Sequence, residues 1–336
     1  VIDPRFYKRF GPLSASDIAS LVGATVTRGD PAKTITSVAS AAHANVDDLC
    51  FVDEGADVEV TDAGIVLAAT GAAGKFEPAT TVIETGRPRA AFARAAERLI
   101  RPRELENGQP AIHPTARVHA TARLQPGVVI GPEAAVGAGV EVGANAVIGP
   151  GVQIGANSVI GAAAVIRCAL LGDGVRLYPG VIVGEAGFGL AAGSGGASLT
   201  PHFGRVIIQN GVSIGANSCI DRGLLDDTVI GEGTHIDNLC HIGHNCRIGS
   251  HVVMAAFAGV SGSSKVGDGV QFGGRVGLKD HITIGAGARI AAGAAVLGDV
   301  PAAEVWAGYP AKPIRSWLRE LAWLARSAQK RSTRND

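Results

Sequence analysis

Apolar residues recur at every sixth position along two long stretches of this chain. The first runs Ile112, Val118, Leu124, Ile130, Val136, Val142, Ile148, Ile154, Ile160, Ile166. The second runs Ile230, Ile236, Ile242, Ile248, Met254, Val260, Val266, Phe272, Leu278, Ile284, Ile290, Val296 without a break. A period of six fits neither the 3.6-residue turn of a helix nor the two-residue alternation of a strand. It predicts a mainly β protein, a left-handed parallel β-helix of hexapeptide repeats in which short strands wind as a triangular solenoid. Three hexapeptides close one turn. Residues about 18 apart therefore stack in adjacent coils, roughly 4.8 Å apart, while residues six apart fall on different faces.

The ladder has interruptions. After Ile166 the phase slips by one, to Leu171, Leu177 and Val183. Residues 187–205 carry no rungs and predict a loop projecting from the solenoid, a common place for a binding-site wall. Rungs resume at Ile208, Ile214 and Ile220, and the phase shifts again before Leu224. Upstream the texture differs. Ser14 or Ser16 caps a short helix through Ile18, Leu21 and Val22, and strands are expected at Ile35–Val38, Leu49–Val52, Ile65–Ala69 and Thr81–Ile83. Pro88 opens a helix to about Ile100, and residues 101–111 form a linker. Past Pro313, Ile314, Trp317, Leu318, Leu321 and Leu324 follow helical spacing, so one face should pack. The expected division is an α/β domain over 1–105, the β-helix over 106–305 and a C-terminal helix over 306–336.

Composition narrows the function classes. The sequence has 46% apolar and only 4% aromatic residues with 47 glycines, which suits a narrow interior filled by Ile, Val and Ala. Net charge is zero, which argues against nucleic acid as a partner. No apolar run is long enough to span a membrane, no signal peptide is visible, and five cysteines without a framework pattern fit a reducing cytoplasm. The tail is locally basic, which invites an acidic partner, though a solvated terminal helix has the same composition.

Candidate chemistry gathers near residue 244. His235, Cys240, His241, His244 and Cys246 look like metal ligands. However, His235/His241 and Cys240/Cys246 are six apart, hence on different faces, so no metal site is expected within one subunit. Zinc shared between subunits, as in a hexapeptide carbonic anhydrase, stays open. The same arithmetic places His244 at a corner, with Asp226 below it, Gly262 above it and Asp280 with His281 two coils up. A neutral imidazole can take a proton, a carboxylate can fix its tautomer, and a glycine N–H can face an oxyanion. Asp237 rivals Asp226 as the orienting carboxylate, and a plain exposed corner histidine is the alternative to a base.

The stretch Ile236-Asp-Asn-Leu-Cys-His-Ile-Gly-His244-Asn, preceded by Cys219-Ile-Asp-Arg-Gly-Leu-Leu-Asp-Asp-Thr228, resembles the UDP-3-O-(3-hydroxyacyl)glucosamine N-acyltransferases of lipid A biosynthesis. Gly187-Phe-Gly189, Gly204-Arg-Val-Ile-Ile208 and Gly308-Tyr-Pro-Ala-Lys-Pro313 match as well, and so does the three-part layout. The resemblance implies transfer of a 3-hydroxyacyl group from the phosphopantetheine of acyl carrier protein to the 2-amino group of a UDP-sugar lipid precursor, in a homotrimer without other cofactor. It assigns His244 as general base, Gly262 as oxyanion donor and His281 as an assisting residue. Phe51, Phe188, Asn238 and Asn245 are the expected substrate-binding residues, with uridine held by the N-terminal domain.

One stretch departs from the family. Around the uracil pocket the family shows Phe-x-x-Asn-x-x-Tyr, whereas this chain has Phe51-Val-Asp-Glu54-Gly-Ala-Asp57, two acidic residues where a diphosphate would lie. Rival readings are the sister O-acyltransferase, a CoA-dependent acetyltransferase and a non-catalytic solenoid scaffold. The hundred residues ahead of the first rung argue against the sister enzyme, which starts directly with hexapeptides.

Overall fold

Each rung from Val118 on lies in a short strand, most of them of two residues, that pairs in parallel with the strand one coil away; only Lys312–Pro313, after the last coil, joins its sheet antiparallel among the described residues. In the computed structural model, which describes residues 2–53, 55, 61–193 and 196–332, these strands line up as three sheets of nine, eleven and nine members among the described residues. Rungs such as Ile130, Ile148, Ile166, Ile242, Val260 and Ile290 are buried and fill the prism's interior. The expected β-helix is therefore the observed architecture. Its first coil begins with the bridge Ile112–Ile130.

Register departs from 18 at four places: the last is at the solenoid's end, where Arg289 pairs with Val305, and the three earlier ones each have a local cause. Val159 pairs with Arg176 and Val165 with Ile182, one residue short, next to Cys168 in a left-handed backbone conformation (φ 44°). Arg176 pairs with Ser213 because the chain leaves the coil and returns. The excursion is an antiparallel hairpin, Leu190–Gly193 against Gly196–Leu199, rather than an irregular loop. Its glycines hide the alternation that would have announced strands. Cys219 pairs with His241, and Ile220 with Ile242, so four extra residues lie in the coil below residue 244.

The N-terminal part folds as expected, with additions. α1 (Ala15–Val22) is capped by Ser14, whose hydroxyl accepts the Asp17 N–H while the Asp17 carboxylate accepts the Ser14 N–H. α2 (Pro88–Leu99) has proline in its first turn, where no N–H is needed. Both pack on a five-stranded sheet whose order is Thr25–Arg28, Thr81–Glu84, Ile65–Ala68, Asp48–Val52, Ser37–Val38. The expected linker opens as a strand: Ile100–Pro102 pairs antiparallel with Tyr7–Arg9. α3 (Ile314–Ser332) packs by its beginning on Val305–Ala307 and Lys312–Pro313. Leu318, Leu321, Trp323 and Leu324 are exposed, so the expected packed face is not covered within one chain.

The two parts are tied by a buried carboxylate. Asp3 accepts from Arg5 (2.6 Å) and Arg205 (2.8 Å), and Arg205 forks onto Asp227 at 2.9 and 2.7 Å. Burial alone would raise the Asp3 carboxyl, but the hydrogen bonds from Arg5 and Arg205 outweigh it and hold it down at about 2. A carboxyl lowered in the folded state stabilises above its unfolded pKa, and the contribution is lost as pH falls through the folded value. Thermal melts should therefore show midpoints falling between about pH 5 and pH 2. Asp3→Asn should melt lower at pH 7 and lack this part of the acid slope. An acid slope unchanged in the variant would remove Asp3 from the account.

Candidate active site

His244 opens the turn after the strand His241–Ile242, and the coil above fixes its surroundings. Its carbonyl accepts the Ser263 N–H (2.8 Å), and the Gly262 carbonyl in turn accepts the His281 N–H (3.1 Å). A Cβ placed on Gly262 would stand 2.7 Å from His244 Nε2. The imidazole therefore lies against the glycine, in the space its missing side chain leaves. Gly262 N–H donates to no described residue. His281 is exposed on the same edge, further along the solenoid. The structure thus brings His244, Gly262 and His281 into one line, as the coil arithmetic expected.

It does not bring the expected carboxylates there. The four-residue insertion displaces Asp226, which pairs instead with His43 of the N-terminal part (3.1 Å). Asp237 sits on another face and accepts from Asn238 N and Nδ2, both at 2.7 Å. The group at His244 Nδ1 is Asn245 Oδ1, at 3.1 Å. That same oxygen accepts the Leu224 N–H at 2.8 Å, which fixes it as the carbonyl end of the amide. An oxygen can only accept, so Nδ1 carries the ring proton and Nε2, facing Gly262, is free to take one. Asn245 thereby orients the histidine, and its own corner conformation (φ 59°) suits asparagine.

The carboxylate whose charge interacts with His244 is Asp221. It is buried, and its Oδ2 lies 3.5 Å from His241 Nε2. Burial raises its pKa, while His241, His244 and Arg222 oppose the rise. His202 is the other near neighbour, its ring edge-to-face with His244 at 5.0 Å between centroids. Burial, joined by the charge of His244, pulls its pKa down to about 4, against the carbonyl of Thr200. Neither residue stands out in the sequence. His202 falls in the rungless segment, where no register applies, and Asp221 is found only once the insertion is known.

A cavity of about 730 Å³ opens beside these groups, between α2 and the hairpin. His202, Asp221, Arg222 and His241 supply its polar side, and Phe188, which is 76% exposed, and Leu199 part of its apolar side. Phe51 is not at this cavity. It packs on Phe92 at 4.8 Å between centroids, with the Arg89 guanidinium over its ring at 5.3 Å. Glu54 and Asp57 lie outside the described residues. Asn238 lines a second hollow of about 510 Å³ with Tyr178, His235 and Asp237, on a different face from His244.

The apparent metal ligands are dispersed. His235 meets Ser213 Oγ at 2.7 Å, His241 faces Asp221, and the Cys246 thiol donates to the Ser261 carbonyl at 3.2 Å. Burial pushes the Cys246 thiol up to about 12, far from the thiolate a metal needs. No group of three or more His, Cys, Asp or Glu that could hold a metal ion occurs among the described residues.

Comparison with known proteins finds relatives over nearly the whole chain. The family of bacterial transferase hexapeptides (six repeats) matches residues 136–168 and 227–262. A UDP-3-O-acylglucosamine N-acyltransferase of Caulobacter sp. (strain K31) is 46% identical over 332 residues, 97% of each chain. One from Methylobacterium sp. (strain 4-46) is 41% identical over 340 residues, 97% of this chain and 96% of its own. Among solved structures, UDP-N-acetylglucosamine acyltransferase from Campylobacter jejuni is 26% identical with a TM-score of 0.48, covering 60% of this chain and 73% of that one.

Proposed function

The chain belongs to the UDP-3-O-acylglucosamine N-acyltransferase family, and on that footing we propose that it moves a (3R)-3-hydroxyacyl group from acyl carrier protein to the 2-amino group of UDP-3-O-(3-hydroxyacyl)glucosamine. The reaction is a step of lipid A biosynthesis, carried out in the cytoplasm. The observation that carries the reading is His244 seated against Gly262 by its Nε2 side, with Asn245 Oδ1 at its Nδ1.

The steps follow from that geometry. The sugar amine attacks the thioester carbon, and His244 Nε2 takes the amine's proton as the C–N bond forms. The Gly262 N–H donates to the carbonyl oxygen while it carries negative charge. Collapse breaks the C–S bond, and the proton on His244 passes to the departing phosphopantetheine thiolate. Asn245 keeps the imidazole in the right tautomer throughout. His281 assists from further along the edge, against substrate or developing charge. These steps use only protein groups and the carrier's thioester.

The remaining residues take their roles in a homotrimer. Asn238 and His244 lie on different faces of one prism, so a neighbouring subunit is what joins them in one cleft. Residues 1–105 serve as the nucleotide-sugar domain, with Phe51 and Phe188 contacting substrate, and acyl carrier protein docks near the basic α3.

The test is transfer by purified protein, with 3-hydroxyacyl carrier proteins of varied chain length, to amine- and hydroxyl-bearing UDP-sugars. Amide product from the amine alone is expected. Ester product on the hydroxyl sugar would instead support the sister O-acyltransferase, and no product from any donor would sink the reading.

A further inference from the structure

Three buried side-chain atoms among the described residues lack a hydrogen-bond partner, and two of them belong to residues that line the same cavity. They are Thr200 Oγ1 and His202 Nε2, on residues only 2% and 1% exposed. A buried polar atom left unpaired costs roughly 1–3 kcal/mol, so two at one wall of one cavity call for an explanation.

The chemistry of the pair is fixed by its neighbours. His202 Nδ1 lies 2.9 Å from the Thr200 carbonyl, which can only accept, so Nδ1 carries the proton and Nε2 presents a lone pair. The imidazole is neutral at working pH, being held near 4. Glycine keeps side-chain atoms off Nε2. A Cβ on Gly187 would stand 2.9 Å from His202 Nε2 and 2.6 Å from His244 Cβ, and one on Gly189 would stand 3.1 Å from His202 Cε1. The site thus offers a rigid acceptor and a hydroxyl that donates or accepts, within one ring's width of His244. Around them the cavity wall is largely apolar, with Ile100, Phe188, Leu199 and Phe203.

We propose that Thr200 and His202 form a subsite for an aliphatic hydroxyl on an acyl chain, with His202 Nε2 accepting the O–H. Arg222 and Asp221 on the same wall already have partners, Arg222 on the His202 and Gly184 carbonyls at 2.9 and 2.7 Å and Asp221 against His241, so the unpaired Thr200 and His202 beside Phe188 and Leu199 fit a single hydroxyl on an otherwise apolar chain. In a 3-hydroxyacyl group the hydroxyl oxygen is three bonds from the reacting carbonyl carbon, which suits a binding group packed on the general base. The proposal rests on the acyl-transfer reading. Two chains supply the same chemistry, the one being donated and the one already esterified to the sugar.

The experiment compares kcat/KM for donors with and without the chain hydroxyl, and for acceptors with and without it on their ester-linked chain. The wild-type protein is expected to favour the hydroxylated form of one of these two chains by at least about tenfold, the worth of one buried hydrogen bond. His202→Leu should bring that ratio to within about twofold of one, and Thr200→Val should reduce it, with thermal melting confirming that both variants fold. A wild-type enzyme indifferent to both hydroxyls, or ratios preserved in both variants, overturns the proposal. A wild-type enzyme that makes no amide at all sinks the acyl-transfer reading instead.

Discussion

His244→Ala is expected to lower kcat by about 10²–10⁴, the usual contribution of a positioned general base. KM for the amine acceptor should change little, because the imidazole acts on a proton that moves only as the amine attacks. The fold should survive. The ring is half-buried, and its chief packing loss is the edge-to-face contact with His202, worth about 0.5–1.5 kcal/mol. The removed ring also leaves the Asn245 amide holding the Leu224 N–H, so the neighbouring insertion keeps its anchor. Single-turnover transfer measured beside a thermal melt separates the two effects. A variant that keeps kcat within tenfold of wild type would exclude His244 as the base.

That prediction depends on how much of the site the sequence could disclose. The six-residue ladder specified the strands, the interior and the stacking of Gly262 on His244, because a solenoid converts sequence distance into spatial distance wherever the coils are regular. The reasoning fails where they are not. Asp226 was expected beneath His244 from a separation of 18, but the true register there is 22, and the extra residues carry Asp226 across to His43. Asn245 was expected to bind substrate. Its Oδ1 also meets His244 Nδ1, a contact that depends on a side-chain rotamer and leaves no periodic trace. His202 was invisible for a related reason, since the hairpin that delivers it to the cavity obeys no coil arithmetic. The joint between the parts, Asp3–Arg205–Asp227, likewise spans two segments whose proximity only the folded chain establishes.

Gly262→Ala should be nearly as damaging to turnover as removing the base, and for a reason distinct from folding. The new methyl would stand 2.7 Å from His244 Nε2 and 2.8 Å from its Cε1, closer than a Cβ tolerates. The obstacle it meets is a side chain rather than backbone, so the protein relieves the clash by swinging the imidazole aside. Stability should therefore change little while the nitrogen that takes the proton leaves its place, and a misplacement of about 1 Å can cost about 10²-fold. The methyl also stands beside the N–H that faces the developing oxyanion, a donor whose loss typically costs about 10²–10³ in kcat. A fall in kcat of at least about 10² is thus expected, with the thermal midpoint close to wild type. Gly259→Ala supplies the control three residues earlier in the same coil: its Cβ would meet nothing within 4 Å, so activity should stay within a few-fold. Equal losses in both variants would point to a general intolerance of the coil. Full activity in Gly262→Ala would mean that catalysis does not need His244 against that glycine, and the mechanism would have to be drawn around another base.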